Sequence, residues 1–206
     1  MYISKVKELA YDYKYCYKDD EIILTEQAVE SFIMRLILIG LRLKGMTYKQ
    51  SQQVVVSTYI RTKDALPTAL RLLDKDKANE ILKHNTIKEL SDLFFSFSVV
   101  YRNKLSHGAI GGISDKRVIE VCIQINTNLI RETEAIIKSV MGHSAFDSPS
   151  TWGAGKSSRR FSDAEIDGLK IGGNTTKPIG VDVAIKRLDN LFAGSNDSKV
   201  LMRLMI

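Results

Sequence analysis

Between Ile87 and Leu105 the apolar side chains return every three or four residues, at Ile87, Leu90, Phe94, Phe97, Tyr101 and Leu105, with Leu93 and Val100 widening the stripe. That spacing follows an α-helix of about 3.6 residues per turn and cannot be laid on a strand, whose side chains switch faces at every residue. A stripe this long and this aromatic has to be covered, so the segment is a core element of a bundle. The same spacing recurs at Val29, Phe32, Ile33, Leu36, Ile37, Gly40 and Leu41, and again at Val181, Ala184, Ile185, Leu188, Leu191 and Phe192. With 3 prolines in 206 residues and little two-residue alternation, the chain reads as all-α. The expected architecture is an antiparallel helical bundle with an irregular arm and a C-terminal helix.

Capping chemistry sets the expected boundaries. A tyrosine-rich first helix runs from about Tyr2 to Lys18. A second starts at Thr25 as its N-cap and ends at Leu43, with Lys44 and Gly45 as a cationic last turn and stop. Thr47 with Gln50 forms a capping box for a third helix reaching Arg61, and a fourth segment covers Pro67 to Leu82. Thr86 with Glu89 forms a second box and opens the stripe helix, which Gly108 closes. After a flexible turn, Ser114 caps a long helix to Met141, stopped by Gly142. Two long helices joined by so short a turn lie antiparallel and place His107 at a hairpin corner. The expected division is therefore a bundle over 1–142, a Gly/Ser-rich basic linker or arm over 143–177 with a brief helix from Ser162 to Leu169, and a C-terminal amphipathic helix with an apolar tail over 178–206. The tail residues Val200 to Ile206 are too apolar to hang free, so they pack on the bundle or on a second chain.

Several function classes drop out. The start has no signal-peptide core, and the longest apolar stretch, Phe32 to Gly40, is broken by Arg35, so a cytoplasmic protein without a membrane span is expected. Cys16 and Cys122 have neither ligand-like nor disulfide-like spacing and read as reduced core thiols. His84, His107 and His143 have no Cys or carboxylate cluster around them, so no metal site or cofactor is expected, and His84 and His143 read as solvated. The net charge of +6 and pI of 9.2 lean toward polyanionic partners.

Against that background one hexapeptide stands out: Arg102-Asn103-Lys104-Leu105-Ser106-His107, at the end of the stripe helix. Arginine offers a fork of donors that fits a phosphate and does not deprotonate. Histidine is the side chain that titrates near neutrality. The carbonyl end of a helix favours a cation, which suits His107 to donate a proton. Asn103 and His107 form an i, i+4 pair, whereas Arg102 and His107 lie about 140° apart on an ideal helix, so they converge only if the last turn departs from ideal at Gly108. RNA cleavage by internal transesterification needs an activated 2′-hydroxyl, a protonated 5′-oxygen and stabilised charge on phosphorus. One histidine fills one proton-transfer role at a time. Two copies across a two-fold axis would supply two His107 and two Arg102, so a homodimer is the economical arrangement.

The run from Val99 to Gly108 resembles the Arg-polar-x-x-x-His signature of HEPN domains, small all-helical proteins that recur as ribonuclease toxins and anti-phage effectors. The resemblance implies a metal-independent endoribonuclease with its site in a dimer cleft. It assigns Arg102 as phosphate ligand, Asn103 as orienting residue and His107 as catalytic histidine, on an RNA substrate, with an antitoxin or another defence-system protein as possible partner. HEPN toxins silenced by nucleotidyltransferase antitoxins often carry a tyrosine two residues after the histidine, where this chain has Ala109. The motif covers about ten residues, and the helical layout agrees with it over 1–142.

Simpler readings stand beside this one. Basic residues are favoured at helix C-termini whatever their function, and a non-catalytic helical adaptor binding RNA or a partner protein would use the same cleft. Arg35 either lines the cleft or is a snorkelling or paired arginine. Trp152-Gly153-Ala154-Gly155-Lys156-Ser157 lacks the glycine a phosphate-binding loop needs at Ser150, and no strand precedes it. Lys104, Lys156, Arg159 and Arg160 could touch RNA backbone, with Trp152 and Phe161 stacking on bases, or 143–177 is a solvated linker.

Overall fold

A computed structural model describes residues 18–57, 63–108, 113, 115–155 and 177–193, and these are mostly helical with no strand among them. The helices are α1 (Lys18–Leu43), α2 (Tyr48–Ser57), α3 (Ala65–Leu73), α4 (Lys75–Ile81), α5 (Asn85–Leu93), α6 (Val99–Ser106), α7 (Lys116–Met141) and α8 (Val181–Leu191), with a π-helical turn at Phe94–Ser98 between α5 and α6. The helix expected over Tyr2 to Lys18, the end of α2 toward Arg61, Cys16, Ser114, the helix expected over Ser162 to Leu169 and the tail Val200 to Ile206 lie outside the described residues. No described helix is long and apolar enough to cross a membrane.

α1 packs against α3 and α7, and α7 also meets α5 and the π turn. Their shared core includes Ile22, Val29, Ile33, Leu36 and Ile37 of α1, Leu66 and Leu70 of α3, Phe94 and Phe97 of the π turn, and Cys122 and Ile125 of α7. Burial pushes the Cys122 thiol up to about 12, opposed by the neighbouring Ser98 hydroxyl. Where α1 crosses α3, Gly40 lets the backbones close in. A β-carbon there would lie 2.6 Å from Leu72 Cβ and 2.9 Å from Leu72 C.

Some caps fall where the sequence puts them. Gln50 Oε1 accepts the Thr47 N–H at 2.9 Å while Thr47 Oγ1 accepts the Gln50 N–H at 3.3 Å, a reciprocal box. Gly45 and Gly142 end α1 and α7 with positive φ, 101° and 78°. Others are corrected. Thr25 is interior to α1, where its hydroxyl donates to the Glu21 carbonyl one turn back (2.7 Å) and accepts from Asn126 Nδ2 (2.9 Å). The segment expected over Pro67 to Leu82 is two helices, because Asp74 is extended and its carboxylate accepts the Asp76 and Lys77 N–H groups to start α4. The helix after His84 starts at Asn85, ahead of Thr86, so Thr86 and Glu89 form no box. Asp115 caps α7 by accepting the Arg117 N–H at 3.0 Å.

The stripe helix is not continuous. At Phe94–Ser98 five buried residues widen into the π turn, which inserts one residue and rotates everything downstream by about 100° relative to a straight helix. Before the turn, Ile87, Leu90 and Phe94 face the core as the stripe requires; after it, Tyr101 and Leu105 are only partly buried, and the inward position passes to Arg102. A π turn also interrupts the i→i−4 ladder, and here the Ser96 carbonyl accepts the Ile179 N–H at 3.1 Å. That bond leads into α8, which lies on α5 and α7. Arg187 of α8 pairs with Glu89 and Asp92 of α5, so the C-terminal helix packs on its own bundle.

The first part of the expected arm, 143–155, is built onto the bundle. Arg35 donates to the carbonyls of Ala145 (2.7 Å), Phe146 (2.8 Å) and Asp147 (3.0 Å). Glu134 accepts the Ser144 hydroxyl and the Ala145 N–H. The interruption of the apolar stretch by Arg35 is thus a loop clamp.

Candidate functional site

The hexapeptide occupies the last turns of α6. His107 is the C-cap, its N–H bonded to the Asn103 carbonyl at 3.0 Å, and Gly108 comes next with φ 65°. Across the corner, Arg117 brackets Asp115 with its guanidinium, and that side-chain bond holds the carboxyl below the usual range. Arg117 also reaches Asp182 of α8 at 3.1 Å.

Because of the π turn, Arg102 points inward and is 8% exposed. Its Nε lies 3.3 Å from an oxygen of Glu26, a fully buried carboxylate of α1, and its Nη1 donates to Asn103 Oδ1 at 3.3 Å. The Nε contact is an ion pair without hydrogen-bond alignment, so the amide of Asn103 supplies the directed bond to the guanidinium. The structure therefore brings Arg102 and Asn103 together. It does not bring His107 to them: His107 is exposed at the corner, and among the described residues no side-chain hydrogen bond joins it to either. Lys104 is exposed, with Nζ 5.1 Å from the Tyr101 ring centroid, and that ring in turn packs on Phe97.

Lys156, Arg159, Arg160 and Phe161 lie outside the described residues. Trp152 is partly buried and committed: its indole N–H donates to the Ser144 carbonyl at 2.8 Å and its ring packs on His143, 5.1 Å between centroids. It anchors the loop, and its ring contact corrects the solvated reading of His143. Gly153 and Gly155 both have positive φ, in a turn with no strand before it.

Glu26 is the residue that reading the sequence missed. Its signal was present, since Ile22, Glu26, Val29 and Ile33 lie on one helical face and a carboxylate on such a face needs a buried cation. Its partner was hidden, because only the π turn carries Arg102 inward.

No protein-family model matches the chain, and no curated protein or solved structure is significantly similar to it.

Proposed function

We propose that the chain is a HEPN-like, metal-independent endoribonuclease that cleaves RNA by attack of the 2′-hydroxyl at a dimeric site, acting as a toxin or anti-phage effector. The observation that carries the reading is the buried guanidinium of Arg102, beside the Glu26 carboxylate and hydrogen-bonded to Asn103, one and a half turns before an exposed His107. In the proposed reaction His107 of one copy takes the 2′-hydroxyl proton and His107 of the other protonates the departing 5′-oxygen. The Arg102 pair stabilises the charge that builds on the phosphoryl oxygens, and fixed donors of this kind usually lower such a barrier more than any other single effect. Arg102 and His107 diverge within one chain, so the reading needs either a second copy across a two-fold axis or unwinding of the last turn at Gly108.

The burial of Arg102 also favours a second reading, a non-catalytic HEPN-like adaptor in which the arginine is structural and the exposed corner binds RNA or a partner protein. Incubating the purified chain with RNA in the presence of a chelator separates the two. Cleavage by the wild type that disappears in both His107→Ala and Arg102→Ala supports the enzyme. Intact RNA with a folded dimer supports the adaptor.

A further inference from the structure

Phosphate binding by Arg102 does not by itself require a fully buried carboxylate beneath the guanidinium. Desolvating a carboxylate and a guanidinium together is unfavourable unless the pair is close and well satisfied, and a pair of leucines would fill the same space more cheaply. Glu26 nevertheless occupies a core position of α1, 0% exposed, and faces the Nε edge of Arg102 at 3.3 Å. On the other side of the guanidinium, Asn103 Oδ1 accepts from Nη1. The two contacts come from different helices: an ion pair without hydrogen-bond alignment from α1 and a hydrogen bond from α6, so the guanidinium lies between two groups that favour one orientation.

We infer that Glu26 is a positioning residue of the Arg102/His107 site: its carboxylate sets the plane of the Arg102 guanidinium so that the edge turned away from α1 is aimed at the phosphoryl group. This rests on the ribonuclease reading. Glu26 touches neither the phosphate nor the reacting oxygens; it acts through Arg102. A long, flexible arginine side chain loses less freedom on reaching the transition state when its plane is already set, so the benefit falls on the chemical step more than on RNA binding. The π turn belongs to the same device. Without the inserted residue at Phe94–Ser98, Arg102 would lie on the flank of the helix and Glu26 would face Tyr101.

The test compares wild type, Glu26→Gln and Glu26→Asp, using RNA cleavage in chelator over a range of protein concentrations and the NMR signal of the Arg102 Nε–H. Glu26→Gln keeps the volume and an acceptor oxygen while removing the charge. Its expected behaviour is a kcat lowered about tenfold to a hundredfold with KM changed less than about threefold, the range seen when the support of a site is loosened. Glu26→Asp recovers part of the rate, because it restores a carboxylate to act through Arg102. In the wild type the Nε–H exchanges slowly with solvent, and in Glu26→Gln its exchange accelerates. A folded Glu26→Gln protein with unchanged kcat overturns the positioning role while leaving the ribonuclease reading intact. A folded wild-type dimer that leaves RNA uncut overturns the ribonuclease reading and the positioning role with it. A wild-type Nε–H that exchanges as fast as an exposed arginine overturns the positioning role on its own.

Discussion

Replacing Arg102 with leucine should destabilise the fold far more than a change at a surface helix end, and the structure sets the size of the effect. The guanidinium is about nine-tenths buried and 3.3 Å from a carboxylate with no exposed surface. Removing one partner of such a pair takes a nearby opposite charge from a group buried away from water, a loss of about 3–5 kcal/mol, whereas an exposed pair is worth about 0–1 kcal/mol. For a chain of this length that corresponds to roughly 6–20 °C in Tm at about 2–4 °C per kcal/mol. Glu26→Leu alone should lose a similar amount. The double variant Glu26→Leu/Arg102→Leu should nevertheless be at least about 2 kcal/mol more stable than either single one, because both charges then leave the core together. Urea unfolding followed by circular dichroism gives all four corners of the cycle, provided the slope of the transition stays constant. Losses that simply add in the double variant, or an Arg102→Leu loss below about 1 kcal/mol, would refute the buried pair as a coupled unit.

Other consequences of the fold are open to measurement. Gly40→Ala should lower the urea midpoint by the equivalent of about 1–3 kcal/mol, since the added carbon meets Leu72 backbone as well as its side chain, and the gain of about 1 kcal/mol in helix propensity is too small to offset a forced separation of α1 and α3. The Cys122 thiol, raised by burial from 9.0 to about 12, should resist alkylation in the folded chain and react on unfolding. Because its folded value is the higher one, the stability it contributes is complete below about pH 9 and is lost as pH rises from there toward 12, so stability should fall over that window and Cys122→Ser should flatten the decline. Arg187→Ala should speed backbone amide exchange in α8 before it affects the rest of the bundle, because it removes the Glu89 and Asp92 contacts while the Ile179 bond to the π turn remains.

Helix class was legible in the spacing of apolar residues because that signal is local. So were the stops at Gly45 and Gly142, where a positive φ favours glycine. Among the features that were not legible, three fail for clear physical reasons. Thr25 looks like a cap because threonine caps well, but its hydroxyl is equally able to bond back inside a helix, and the choice was made by Asn126, 101 residues away. The loop at 143–155 has the composition of a linker, yet it is held by Arg35 and Glu134, side chains on α1 and α7 that composition does not connect. The π turn leaves the stripe of Ile87, Leu90, Phe94 and Phe97 intact and re-aims only the residues beyond Ser98, so a straight helix put Tyr101 in the core and Arg102 on the flank. Of the candidate motif, the orientation of its arginine was not legible in the sequence.

The central claim, that Arg102 and His107 cleave RNA together, is tested most directly by the ends of the products. Purified chain is incubated in chelator with an RNA oligonucleotide and with its all-deoxy counterpart, and the fragments are weighed by mass spectrometry. The expected products are RNA fragments ending in a 2′,3′-cyclic phosphate and beginning with a 5′-hydroxyl, with an untouched DNA strand and no fragments from His107→Ala or Arg102→Ala. A folded wild-type chain that leaves the RNA whole, or cleavage that persists in both variants, would contradict it.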